Sequence, residues 1–277
     1  MAEFTEVSHL PHHRFIRRRM FVAMHPRELI QPAEDWLDAA NAGRTARVAL
    51  AALLGLAVYG FSVGYWRDPW MAVFVAVKLP LLVLLTLLCN GLLNGLLGIL
   101  LGTGLGFRQS WFALLSAFAI CGLILGSLAP VTLLMAWNAP PPASPEAGSA
   151  HAAYLIANTF LIGFAGIVAN IHLHRMLAVK SPTPAVATAT LLAWLGGNGI
   201  LGAQFSWILR PFFGTPGLEV QFLRPKPLKG NFYEAVWSRL DKITDGAALP
   251  GLLLLVLLFA IPITCAIQSH HPNQPKP

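Results

Sequence analysis

Residues 196–237 read GGNGILGAQFSWILRPFFGTPGLEVQFLRPKPLKGNFYEAVW. The stretch begins as an apolar helix, carries a polar patch at Gln204, Ser206 and Trp207, and breaks at Arg210-Pro211. Beyond the break the composition changes. Phe212, Phe213, Phe222, Phe232, Tyr233 and Trp237 mix with prolines and with Arg224, Lys226 and Lys229. Irregular backbone of this kind leaves peptide groups unpaired, so it cannot face hydrocarbon. It is also too apolar for a free linker. The reading is a membrane-crossing helix that ends in a folded cap, residues 210–246, at the membrane surface. Within the cap, Gly214-Thr-Pro-Gly217 and Gly230-Asn231 have turn chemistry. Residues 218–223 alternate enough for a short strand. Asn231 and Glu234 have the spacing of a capping box, which predicts a helix over about 231–242.

The same alternation of lipid-like and punctuating segments runs outward through the chain. It has 277 residues, 56% apolar and only 11% charged, where a soluble domain carries about 25% charge. Long uncharged apolar runs predict an all-α, polytopic transmembrane helix bundle of about six crossings. These are residues 48–65, 80–101, 110–137, 152–176, 185–209 and, within 247–267, a last one over 249–267. Lys78 and Pro80 are read as dividing the second run, with 71–79 an interfacial lead-in and Lys78 snorkelling from a helix end. Residues 1–47 form a basic N-terminal segment with a short amphipathic helix beginning at Pro32, whose Trp36 and Leu37 rest on the interface. Residues 268–277 are expected to be a disordered tail.

Charge sets the expected orientation. The net charge is +7, with Arg14, Arg17, Arg18 and Arg19 near the start. Loop 138–150 has no lysine or arginine, while Arg175 and Lys180 follow the fourth crossing. The positive-inside rule then predicts a cytoplasmic N-terminus in a bacterial inner (plasma) membrane. Either the cap lies on the outer side despite its basic residues, or the fifth run does not cross; the length of that run, enough to span, favours the first. No basic groove interleaved with stacking aromatics points to nucleic acid. Cys89, Cys121 and Cys265 lie in apolar runs and read as buried small hydrophobes.

Two sets of residues are candidates for function. The first is the small-residue faces. Gly91, Gly95, Gly98 and Gly102 recur at helical spacing in the second crossing, and Ala119, Gly122, Gly126 and Ala129 do so in the third. Such stripes let backbones approach closely in lipid, so the two crossings are expected to pack on each other through them. With the cap residues Trp207, Arg210, Phe212, Phe213 and Trp237, these glycines are candidate interfaces with a second copy or another membrane subunit. The second set is the uncharged polar groups Asn90, Asn94, Asn158, Asn170, Asn198 and Gln204. They either hold helices together or line a pore or ligand cavity.

Catalytic signatures are missing from the sequence. No Asp or Glu falls in a predicted crossing, and there is no nucleophile elbow, zinc helix or phosphate loop. His172 and His174, two apart on a helix, point to different faces and read as interfacial anchors. No cofactor and no enzyme activity are expected. The expected partners are the bilayer and other membrane subunits or copies of the chain, acting as a scaffold. The other expectation is a homo-oligomeric channel or carrier for a small solute or ion, lined by the carboxamides.

Residues 202–216 (GAQFSWILRPFFGTP), Phe222-Leu-Arg-Pro225 and Gly230-Asn-Phe-Tyr-Glu-Ala-Val236 resemble a group of uncharacterised bacterial multi-pass membrane proteins. Lys78-Leu-Pro80 and Leu125-Gly-Ser-Leu-Ala-Pro130 look like the same group. The overall plan is loosely similar to Yip1-type membrane proteins. The resemblance implies the multi-pass topology and the importance of the cap, and it supplies no catalytic residue.

Overall fold

The computed structural model describes residues 36–38 and 41–243. The expected sixth crossing, Cys265, the tail, the end of the cap beyond residue 243, and all but Trp36, Leu37, Asp38 and residues 41–47 of the basic segment lie outside them. The described chain is all-helical: α1 (Ala42–Tyr65), α2 (Pro69–Leu100), α3 (Phe107–Asn138), α4 (Ala147–Lys180), α5 (Pro184–Leu209) and the short α6 (Phe232–Ile243). Helices α1 to α5 are each long and apolar enough to cross a membrane. The chain is an integral membrane protein.

Local chemistry sets the helix boundaries. Asn41 accepts from Arg44 N at 2.9 Å, and Asp68 accepts from Trp70 N at 2.7 Å with Pro69 as the first helical residue. Thr183 accepts from Val186 N ahead of Pro184. Each is a side-chain oxygen satisfying an orphan amide at a helix start. Asn231 Oδ1 accepts from Glu234 N at 2.7 Å, the cap the sequence predicts, while the Glu234 carboxylate accepts from the Asn231 side-chain Nδ2 at 3.4 Å rather than from the backbone amide a full capping box would use.

The bundle core is α3, the most enclosed of the spans. Helix α1 crosses it where glycine meets glycine: a Cβ on Gly55 would lie 2.1 Å from the Gly122 carbonyl oxygen. Gly60 and Gly64 bring α1 equally close to Val75 and Met71 of α2. The two glycine stripes therefore do not face each other. Gly122 and Gly126 serve the α1 crossing, while Gly91 and Gly95 receive the Trp111 and Phe107 rings of α3. An aromatic knob fills the glycine notch where a second backbone was expected, because α1 already occupies the bare face of α3.

Three more expectations change. Helix α2 runs unbroken for 32 residues through Lys78 and Pro80, about 48 Å at 1.5 Å per residue. Proline at 80 removes one amide donor but does not end a helix whose neighbours pack along it. Residues 218–223 form no strand. Trp36 and Leu37 are buried in the bundle. Trp36 Nε1 donates to Ser116 Oγ at 3.2 Å, its ring packs tilted on Phe112, and the Arg44 guanidinium lies over it.

Antiparallel connection places the α1–α2 turn, loop 139–146 and the end of α5 together. The opposite end holds Asp38, whose carboxylate accepts from Lys180 Nζ and from Gln109 Nε2. The Lys180 hydrogen bond holds the Asp38 carboxyl below the usual carboxylate range. A lowered folded value means the clasp contributes at and above about pH 3.9, the ordinary Asp value, and is lost as pH falls through the folded value. Asp38→Asn is expected to speed hydrogen exchange at Trp36 and Leu37 and to remove its acid dependence, as read by mass spectrometry. The site is solvent-exposed, so high salt is expected to mimic the variant.

Candidate functional site

The residues that the cap covers come first. Helix α5 ends at Leu209, and the chain turns back through a cis Arg210-Pro211 bond. The returning segment lies on the α1–α2 end of the bundle. Arg67 Nη2 donates to the Leu218 carbonyl at 2.8 Å, and Gly214, at φ +66°, lets the backbone pass against the Arg67 stem. Phe222 meets Phe74 edge to face, and Phe213 meets Tyr154 likewise. The far side is tied to α5: Phe232 N donates to Gln204 Oε1, and Tyr233 OH to the Ile200 carbonyl. The Arg210 guanidinium stacks 3.6 Å above the Trp207 ring.

Beneath this cap sits Lys78, fully buried. Its Nζ donates to the Pro211 carbonyl at 2.8 Å and lies over the Phe222 ring at 5.0 Å and near the Phe212 ring at 6.0 Å. It does not snorkel. Its cation is balanced by a peptide dipole and two ring faces, with no carboxylate partner among the described residues. The sequence signal was available: a lone lysine inside an apolar run, followed by a cap dense in phenylalanine. Placing Lys78 at a helix end hid it.

The six carboxamides separate into three groups. Asn158 is a structural node: its Oδ1 accepts from Tyr59 OH at 2.8 Å and from Thr132, and its Nδ2 donates to the Tyr154 carbonyl. It joins α1, α3 and α4 and is fully buried. Gln204 anchors the cap. The other four gather around α5. Asn198 Oδ1 accepts from Asn90 Nδ2 at 2.9 Å and from Asn94 Nδ2 at 3.4 Å. Asn170 and Asn198 share a cavity of about 270 Å³ between α2, α3, α4 and α5. Among the described residues, the Oδ1 atoms of Asn90 and Asn94 and Nε1 of the fully buried Trp194 find no partner. Trp194 and Thr86, which also lines the cavity, were not singled out from the sequence. Nothing distinguishes them there from other lipid-facing or core residues.

The candidate interface residues have mixed fates. Gly91, Gly95, Gly98 and Gly122 are buried by contacts within the chain, and Gly126 lies against Gly55. Gly102, at φ +73°, terminates α2 with open space around it. Phe212 and Phe213 pack on the core, and Trp207, Arg210 and Trp237 remain partly or largely open to the surface. His172 bonds back to the Val168 carbonyl, and His174 meets Thr188 of α5. Among the described residues, no group of three or more His, Cys, Asp and Glu gathers in metal-ligand geometry. No protein-family model, curated protein or solved structure matches the chain.

Proposed function

We propose that the protein acts without catalysis, as a self-associating scaffold or a subunit of a membrane complex. Its place is the bacterial inner membrane with the N-terminus cytoplasmic. The observation that carries this reading is the contrast between two kinds of glycine. Those of α1, α2 and α3 are filled by neighbouring atoms, whereas a Cβ on Gly163, Gly166, Gly196 or Gly199 would meet nothing within 4 Å among the described residues. Helices α4 and α5 are also the least enclosed spans. Close packing at small residues is what drives helix association in lipid, so an open small-residue face suits a partner helix. The likeness to bacterial multi-pass proteins supports the placement.

Native mass spectrometry of the protein extracted in a gentle detergent tests this. The wild type is expected to carry a second copy or a foreign subunit. Gly163→Leu with Gly196→Leu is expected to strip it while leaving the melting temperature unchanged, because a Cβ at either position meets no atom of the described residues within 4 Å. A wild-type protein that flies only as a monomer with lipid would overturn the reading. A second reading, a carrier for a small solute, is favoured by the shared cavity of Asn170 and Asn198. A pore through all six carboxamides is disfavoured, since Asn158 and Gln204 are committed elsewhere.

A further inference from the structure

The cavity between α2, α3, α4 and α5 is walled by leucine, alanine and Phe118, with Thr86, Asn170 and Asn198 as its asparagine and threonine members. None of the residues lining it is charged. It reaches the lipid-facing side through the exposed Leu195 and Gly199, and a surface groove along Gly163, Ile167 and Ile171 shares Gly166, Asn170 and Leu195 with it.

Its polar wall is oriented. Asn198 Oδ1 is committed to Asn90 and Asn94, so its Nδ2 is left without an internal partner at the cavity. That orientation leaves the buried Oδ1 atoms of Asn90 and Asn94 orphaned, an uncommon state for buried polar atoms that calls for an explanation. Reversing all three amides moves the orphans to nitrogen and turns the Asn198 oxygen toward the cavity. Asn170 Nδ2 gives one of its two protons to the Gly166 carbonyl and the Thr86 hydroxyl gives its proton to the Leu82 carbonyl, so both keep acceptor oxygens and Asn170 keeps a second donor. A group that donates and accepts at once satisfies this wall in either arrangement, and a hydroxyl does both. A carboxylate, phosphate or ammonium would be buried in an apolar cavity without a counter-charge.

We infer that the cavity binds the hydroxyl head of an uncharged lipid, a diacylglycerol or long-chain alcohol, admitted from the bilayer between α4 and α5. Ligand pockets usually measure about 300–1,000 Å³. At about 270 Å³ this one takes the head and the first part of one chain, and the groove takes the rest. The inference rests on the cavity reading and shares Gly163, Gly166 and Gly199 with the face that the subunit reading gives to a partner helix.

The test is photo-crosslinking of the full chain in nanodiscs. The probes are a diazirine-bearing diacylglycerol and a phosphatidylglycerol with identical chains. Labelling is expected on peptides spanning residues 166–173 and 195–202, about tenfold stronger for diacylglycerol, the ratio that 1.4 kcal/mol of selectivity gives. Asn198→Leu removes the oriented amide. Gly199→Leu places a larger side chain at the cavity wall with a Cβ that meets nothing within 4 Å among the described residues, and its melting temperature is expected to match the wild type. Both are expected to abolish the selectivity. Equal labelling by the two lipids, labelling that ignores both variants, or quantitative disulfide capture of Gly199→Cys by a cysteine placed in residues 249–267 would each overturn it. Native mass spectra of the same samples report association separately, so the cavity inference fails alone if labelling is unselective while the oligomer persists.

Discussion

Gly55→Val is expected to lower the melting temperature of the protein in detergent more than any other single change considered for the bundle. The Cβ it introduces would lie 2.1 Å from the Gly122 oxygen and 2.4 Å from the Gly122 carbon. Both are backbone atoms, so no rotamer change relieves the clash. Helix α1 must back away from α3 by more than an ångström to reach ordinary contact, and α1–α3 is the most extensive helix pair in the bundle. Overpacking a core usually costs about 1–3 kcal/mol. Here it also opens the Trp36, Ala52 and Leu56 side of the core, where a small radial gap forfeits a large share of the dispersion attraction. The sum is about 3 kcal/mol or more, a fall of roughly 10 °C for a chain of this size. The control uses the same residue type on another helix: Gly196→Ala, whose Cβ meets nothing, is expected to be neutral or stabilising by up to about 1 kcal/mol from helix propensity. Thermal unfolding in detergent, followed by fluorescence, reads both. If Gly55→Val melts with the wild type, the close crossing is not how these helices pack.

That contrast also shows what the sequence could and could not say. Hydrophobic run length located all five described spans to within a few residues at most boundaries, because the bilayer imposes one dominant constraint. The cap was legible for the same reason, as backbone that lipid would reject. Pairing was not legible. A glycine stripe states that something comes close, but Gly122 accepts a backbone and Gly91 an indole ring, and no local signal distinguishes them. The carboxamides behaved likewise. Asn158 and Asn90 sit in equally apolar runs, and only the fold gives Asn158 a tyrosine and two further helices to bind while leaving Asn90 Oδ1 orphaned. Lys78 was misplaced by a rule that is usually sound: proline two residues on marks a helix boundary. Here the helix continues, because neighbouring helices absorb a missing hydrogen bond in a span.

Lys78→Met is expected to loosen the cap without unfolding the bundle, and Lys78→Ala to loosen it further. Lys78 lies nine residues past Pro69, about 13–14 Å along the helix, beneath Pro211, Phe212 and Phe222. Burying an ammonium costs several kcal/mol. A charge-assisted hydrogen bond of about 1.5–3 kcal/mol and a desolvated cation–π contact of about 2 kcal/mol offset most of that. Deleting the charge therefore nets little by itself, and what remains behind decides the sign. Methionine keeps the stem but leaves the Pro211 carbonyl without its donor, which costs about 1–3 kcal/mol. Alanine also removes the buried stem and adds roughly 2 kcal/mol. The loss falls on the cap, because Lys78 binds the segment where it returns to the bundle, while Arg67, Phe74, Tyr154 and Gln204 hold other points of it. A 1–3 kcal/mol loss raises the open population about 5–150-fold. Trypsin cleavage after Lys229, the basic residue of this run that no proline follows, is expected in proteoliposomes to accelerate in that range for methionine and more for alanine, while arginine, which keeps the cation, stays nearer the wild type. Cleavage of Lys78→Met at the wild-type rate would mean that the cap is held by its aromatic edges alone, and that the buried lysine is not its latch.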